Sequence, residues 1–344
     1  MTHATILGLD IGGANLKISD GHDWSQSVPF ALWREPQRLA DELRKLIELA
    51  PHPLRGLAVT MTGELADCFV TKAEGVRRIL EAVESAGRGC PIGVWQTSGE
   101  FVPVEIAIDE PRLTAAANWH ALATWAGQLT GTGWGLLIDI GSTTCDLIPI
   151  NQGIPEPTGR TDLERLLSGE LVYTGVRRTP LCCVKPTVLI QGRPCPLAAE
   201  IFSTTLDLYL ITGDIPESAA TEATADGRSA TRSAALNRVA RQMCCDCEEL
   251  SAADIAAVAQ ELVAAQLAQL QTAASRVIRE VNGSIQTVIT AGEGEFLASR
   301  LKRAVPELST AREFSLTTLL GSQHSQAACA FALARLAQDR SSIA

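Results

Sequence analysis

Residues 134–150, WGLLIDIGSTTCDLIPI, repeat a pattern already laid down at residues 5–19, TILGLDIGGANLKIS. Each copy reads as a short apolar strand, then Asp-Ile-Gly, then a turn of small residues, then a second strand. Short aliphatic and β-branched runs bounded by Gly-rich turns are buried strands. At Gly12, Gly13 and Asn15, and again at Gly141, Ser142 and Thr143, absent or short side chains let the turn approach a ligand closely. Successive N–H groups in such a turn can cradle phosphate oxygens. Asp10 and Asp139, where each first strand ends, supply hard oxygen ligands for a hydrated Mg²⁺. Lys17, on the strand after the first turn, brings an ammonium within reach of a terminal phosphate, although a solvated strand lysine is the plainer reading. Two copies imply two lobes, residues 1–130 and 131–344, facing one phosphate group.

This duplicated strand, Asp-x-Gly turn and strand resembles the superfamily of actin, sugar kinases and chaperone ATPases, which clamp a phosphorylated ligand between two related domains. The resemblance implies an α/β, two-lobed actin-like (ribonuclease H-like) ATPase fold with duplicated β-hairpin phosphate loops. That fold carries a late Gly-rich turn that contacts nucleotide. The stretch VITAGEGEFLAS at 288–299, with Gly292 and Gly294 in its 291–294 turn, stands in that position.

With 344 residues the chain can bury the cores of two domains. Its 4% aromatic and 20% charged content suits an α/β protein. A formal net charge of −10 argues against nucleic acid as a partner. It also means that a polyanionic ligand must be held by local N–H groups, a metal and a few chosen cations. The sequence starts without a leader-like segment and has no apolar run able to span a bilayer, so no membrane partner and a cytoplasmic location are expected. The ten cysteines are then reduced thiols. Cys244, Cys245 and Cys247 invite a metal reading but lie in a helix-like stretch, and Cys182 and Cys183 lack ligand spacing.

In the first lobe a helix opens at Pro36, with Leu39, Leu43, Leu46, Ile47 and Ala50 on one face, and ends before Pro51. A strand beginning at Leu54 runs into MTGELAD, an edge that carries Thr62 and Gly63 and would present the Glu64 and Asp67 carboxylates to the inter-lobe cleft; a turn with a helix cap fits equally. A helix over 75–87 and a strand over 92–95 follow. PRLTAAANWHALATWAGQLT then reads as one helix crossing to the second lobe. His120 on it is a proton-shuttle candidate and Asn118 a polar contact, against the plainer reading of structural residues.

In the second lobe, residues 151–200 lack strong helical period; GRTDLERLLSGELVYTGVRRTPLCCV reads as a short helix and strand hairpins, within an insertion over about 151–195 that shapes a substrate pocket. Arg160, Arg177 and Arg178 concentrate positive charge there and can hold a carboxylate or phosphate bidentately, unless they lie on a solvated loop. Residues 197–215 read as a helix ending near Gly213, and Asp226-Gly227-Arg228 as a turn that could fold over the cleft. A long helix runs from Ser251, capped with Asp254, to about Val281, and a last helix covers 321–338.

The phrases LGLDIGGANLK, MTGELAD, AAANWHA, TDLERLLSGELVYTGVRRTP, AEIFSTTLDLYLITGD, TADGR and VITAGEGEFLA together resemble hydantoinase/oxoprolinase-related proteins of tetrahydromethanopterin-linked one-carbon transfer, similar to the methanofuran-biosynthesis synthases. The resemblance implies a transferase. An (aminomethyl)furanylmethyl diphosphate loses diphosphate while the phenol oxygen of a glutamyl-tyramine or tyrosine-type acceptor attacks its methylene. Its partners are then these two small molecules, with a homo-oligomer open. Lys17 and Mg²⁺ at Asp10 and Asp139 would stabilise the leaving group, and Glu64 or Asp10 would be the base. An ATP-dependent small-molecule kinase or ATPase is the alternative, with Gly292 and Gly294 under adenosine and ATP as cofactor. No framed catalytic Asp lies between the two hairpins, with Asp67 and Asp109 the nearest candidates. A nucleotide-closing sensor or scaffold is the non-enzymatic reading.

Overall fold

The computed structural model describes residues 5–51, 53–221 and 223–340. The first four residues, where the expectation of no leader falls, lie outside that range. Strand β1 (Thr5–Ile11), buried along its whole length, turns back through β2 (Asn15–Ser19) and β3 (Ser25–Pro29). On its other side it pairs in parallel with β4 (Leu54–Met61), which carries β5 (Ile92–Trp95) and then β6 (Phe101–Val102). The second sheet repeats this plan. Strand β7 (Trp134–Ile140) turns back into β8 (Cys145–Asn151), whose outer edge carries β9 (Ile154–Pro155) and β10 (Leu171–Val172). After a separate hairpin, β11 (Thr187–Ile190) and β12 (Arg193–Pro196), the parallel strands β13 (Ile285–Ala291) and β14 (Arg312–Ser315) complete the second sheet. The orders β2-β1-β4-β5 and β8-β7-β13-β14 therefore correspond.

The correspondence holds at individual atoms. Gly12 N–H donates to the Asn15 carbonyl at 3.0 Å, and Gly141 N–H to that of Thr144 at 2.9 Å. Gly63 N–H donates to the Ile11 carbonyl at 3.0 Å, and Gly294 N–H to that of Ile140 at 2.8 Å. MTGE at 61–64 and GEGE at 292–295 are thus the same turn, with Glu64 and Glu295 equivalent. That second repeat is hidden in the sequence because backbone geometry, rather than side chains, is what the two copies share.

Two helices exchange between the sheets. Helix Asn118–Ala126, which precedes β7, packs Trp119, Leu122 and Ala123 against Leu137, Ile148 and Ile150 of the second sheet. The terminal helix Ala328–Arg340 returns to the first sheet, where Leu333, Leu336 and Ala337 meet Ile6 and Ala58. It comes so close to β1 that a Cβ on Gly8 would stand 1.9 Å from the Ala330 carbonyl oxygen.

Several expected elements differ. The helix expected across 111–130 is broken into Pro111–Thr114 and Asn118–Ala126 by a bend in which Ala116 takes φ 49. The apolar period continues through Ala115–Ala117, so pattern alone does not reveal the break. The helix expected from 197 begins only at Thr205, because the Thr204/Asp207 capping box starts it there. The helix expected over 321–338 is two, Ser322–Gln326 and Ala328–Arg340, interrupted at Ala327, with a further short helix Leu316–Leu320 before Gly321 (φ 80). The helix before the cysteine cluster stops at Gln242, leaving Cys244 in a left-handed conformation (φ 57) in the following turn. All ten cysteines are free, and the described residues contain no group of three or more His, Cys, Asp or Glu arranged to hold a metal. Asp226 is engaged by Arg238 at 3.1 Å and Arg241 at 3.4 Å, so the Asp-Gly-Arg turn is held to the lobe's own helices. Among the described residues no helix is long and apolar enough to cross a membrane.

Candidate active site

The antiparallel register of β1 and β2 puts Lys17 directly opposite Asp10, and Lys17 Nζ lies 3.4 Å from Asp10 Oδ2. Asp10 is almost fully buried, whereas Lys17 keeps 31% of its side-chain exposure and reaches out into the cleft. Burial works against the Lys17 charge, but the attraction of Asp10, Cys329 and Asp139 outweighs it and raises its pKa above the ordinary lysine value. Asp139 belongs to the other lobe, so the field at Lys17 records the meeting of both hairpins. The Asp139 carboxyl is pushed up to about 7, first by burial and then by its cross-strand neighbour Asp146, with Lys17 pulling the other way. The two hairpins therefore bring one cation and two carboxylates to a single point.

Each turn uses one of its N–H groups internally. Gly12 and Gly141, expected to donate to phosphate, close their own hairpins instead, onto Asn15 and Thr144. The N–H groups of Gly13, Ser142 and Thr143 carry no hydrogen bond among the described residues and remain the donors available to a ligand. The second turn is braced from behind. Val176 N–H donates to the Gly141 carbonyl and Arg177 and Arg178 N–H to that of Ser142, all at 3.0 Å. At Gly175 a Cβ would stand 2.4 Å from Thr143 N. Arg177 Nε reaches Glu293 at 2.7 Å, tying the brace to the late Gly-rich turn, and Arg178 lies 5.6 Å from the Trp33 ring of the first lobe. Gly292 (φ 83) presses on the same centre, since a Cβ there would meet Asp139 Oδ1 at 2.5 Å, and one on Gly294 would meet Ile140 Cγ2 at 2.6 Å. Both glycines are thus packing partners of the second hairpin.

Glu64 is buried beside the first hairpin, which the following contacts define. A Cβ on Gly63 would stand 3.2 Å from the Gly12 carbonyl carbon. Burial pushes the Glu64 carboxyl up to about 7, and Oε2 has no hydrogen-bond partner among the described residues. Lys72 and Asp162, which both act on Glu64, join the two lobes by an ion pair of 2.8 Å. Asp67 and Asp109 are exposed.

Three features went unread in the sequence. Cys329, on the terminal helix, is buried in the field of Asp10, Asp139 and Lys17 and accepts a weak hydrogen bond from Asn118 Nδ2 at 3.8 Å. Arg165 is 1% exposed, pairs with Asp146 and lies 4.0 Å from the Trp119 ring centroid. Asp146 itself stands in the opening motif, where its alternation with Asp139 across the hairpin was the available signal. The three cations expected together are divided: Arg177 and Arg178 back the second hairpin, while Arg160 and His120 line a separate cavity. His120 is pushed down to about 4 by burial and by Arg160, Arg165 and Arg340, so it is a neutral imidazole.

A divalent cation fits this site. Asp10 Oδ1 is buried with no partner, and Mg²⁺ needs one or two carboxylates when waters and substrate phosphate complete its shell. Asp10 and Asp139 are the residues that would hold it.

The Hydantoinase/oxoprolinase family model matches residues 55–340. A curated relative from Methanocaldococcus jannaschii, (4-{4-[2-(gamma-L-glutamylamino)ethyl]phenoxymethyl}furan-2-yl)methanamine synthase, is 32% identical over 340 residues, covering 97% of this chain and 98% of its own. The protein of the same name from Methanococcus vannielii is 30% identical over 54% of this chain and 80% of its own. Among solved structures, nucleotide-free acetone carboxylase superposes with TM-score 0.55 at 11% identity, covering 97% of this chain and 70% of that one. A putative N-acetylmannosamine kinase from Listeria monocytogenes superposes with TM-score 0.50 at 15% identity, covering 98% and 99%. These likenesses show the fold, which is the expected two-lobed actin-like one. On the family match and on its near-full-length relative, the chain belongs to the hydantoinase/oxoprolinase family.

Proposed function

We propose that this chain is a transferase of methanofuran-type cofactor biosynthesis that forms the phenoxymethylfuran ether named in its relatives. The observation that supports it most is the convergence of Asp10, Lys17 and Asp139 from two lobes on one point, with free N–H groups around it. This arrangement suits a clamp for a condensed phosphate.

In the proposed reaction the bond between the furan methylene and the diphosphate oxygen breaks, and its electron pair leaves with diphosphate. A phenol oxygen lone pair forms the new C–O bond to that methylene, and the phenol proton passes to a carboxylate. The furan delocalises positive charge at the methylene, so most of the barrier lies in separating charge. In this reading Lys17 and the N–H groups of Gly13, Ser142 and Thr143, which have no hydrogen-bond partner among the described residues, stabilise the negative charge that grows on the leaving group. Asp10 and Asp139 would hold a Mg²⁺ that, when bound, would supply further charge neutralisation there. Glu64 is the better base of the two expected, because its carboxyl titrates at about 7, closer to the ~10 of a free phenol than an ordinary carboxylate is.

The test is diphosphate release by the purified full-length chain from the furanylmethyl diphosphate, with and without γ-glutamyl-tyramine and with and without ATP. Release that requires the phenol and ignores ATP supports the transferase. ATP turnover with no ether formed replaces it by the kinase reading.

A further inference from the structure

A cavity of about 710 Å³ shares none of its lining residues with the hairpin site. Its walls come from both lobes and both exchanged helices: Thr97 after β5, His120 on Asn118–Ala126, Ile154 and Arg160 from the second lobe, and Leu336 and Arg340 on the terminal helix. Its volume suits a small organic molecule.

Its polar groups are unevenly matched. The Thr97 hydroxyl is buried with no partner. The Arg160 guanidinium forms no ion pair among the described residues. Arg340 is fixed by the Gly99 carbonyl at 2.6 Å and stacks 5.1 Å from Trp95. The two acids at the rim are drawn elsewhere, Glu156 by Asn151 at 3.2 Å and Asp339 by Arg335 at 4.0 Å. Buried His120 faces Arg160, Arg165 and Arg340 with no carboxylate acting on it, and stays neutral. Arg340 also pairs with Glu100 at 3.6 Å, so among the described residues the positive charge left without an ion pair beside the partnerless Thr97 hydroxyl is that of the exposed Arg160 guanidinium.

We infer that this cavity is a second ligand site, taking a small molecule whose carboxylate or phosphate is held by Arg160, with the Thr97 hydroxyl and the His120 imidazole as neutral partners. Both lobes wall the cavity, so its shape depends on the angle between them.

The test titrates glutarate, and in a separate arm inorganic phosphate, into the full-length protein whose hairpin cleft is already filled with inorganic diphosphate. Calorimetry reads affinity, and NMR reads the His120 side chain. At least one probe should bind with one equivalent, and which one does identifies the class. Arg160→Gln should weaken it about tenfold or more, the usual scale for losing a charged hydrogen bond. The near-isosteric Thr97→Val should weaken it by a few-fold. The bound anion should raise the His120 pKa from about 4 towards its ordinary value. Binding of neither probe, equal affinity in Arg160→Gln, or a His120 signal that does not move overturns the site.

Discussion

At the residue scale, the centre depends on how burial and neighbouring charge set the state of four side chains. Lys17 is kept charged by Asp10 and Asp139, so Lys17→Met should lower kcat/KM for the diphosphate by about 10²-fold or more, as removal of a preorganised donor does. Steady-state kinetics at saturating acceptor checks this. Glu64, with its carboxyl at about 7, is active as a base only when ionised, so the rate should rise with pH through about 7 and level off above it. Glu64→Gln should remove that limb and lower the plateau by ~10²-fold. A limb that persists in the variant rules Glu64 out as the base. Stability gives an independent reading of the same group. The raised folded pKa means that Glu64 contributes stability below its ordinary value near 4.5, and that this contribution is lost as pH rises through about 7. Wild-type protein should therefore lose Tm relative to Glu64→Gln between pH 5 and pH 8, approximate limits drawn from that window.

At the element scale, the terminal helix is what brings Cys329 under the hairpins and closes the first sheet. It can lie there only because Gly8 has no side chain, with a Cβ 1.9 Å from the Ala330 oxygen and 2.9 Å from Ala334 N. Both obstacles are backbone, so Gly8→Ala must push the helix away from β1. Overpacking of this kind costs about 1–3 kcal/mol or more, and the variant should show a lowered denaturant midpoint. The hairpins themselves are legible because they combine two strong patterns, apolar strands of period two and Gly-rich turns. The short helix of the insertion is legible as well, because the Thr161/Glu164 capping box that starts it is a local sequence signature.

At the scale of the whole molecule, the two lobes are held by a few polar links, among them Lys72–Asp162 at 2.8 Å and Arg178 over Trp33, and by the exchanged helices. A ligand gripped by both hairpins binds only the assembled two-lobe state. Inorganic diphosphate with Mg²⁺ at 100 times its Kd should therefore stabilise the protein by about 2.7 kcal/mol, read as a rise in Tm. The rise should be largely abolished in Lys17→Met, because the cation facing both carboxylates is gone.

The duplicated Asp-Ile-Gly hairpins, the two-lobe plan and the family were all readable in the sequence, because strand period, turn chemistry and motif order are local properties. The side chains Asp10, Lys17 and Asp139 could be named for the same reason. Tertiary structure decided the rest. It showed that Gly12 and Gly141 use their own N–H groups, that Gly292 and Gly294 pack on the second hairpin, and that Arg160 and His120 share a cavity apart from the hairpins. It also showed that MTGE and GEGE are one turn used twice. These outcomes depend on which atoms meet across long sequence separations, and a spacing rule cannot supply that, because close packing and burial are set only when both lobes are folded.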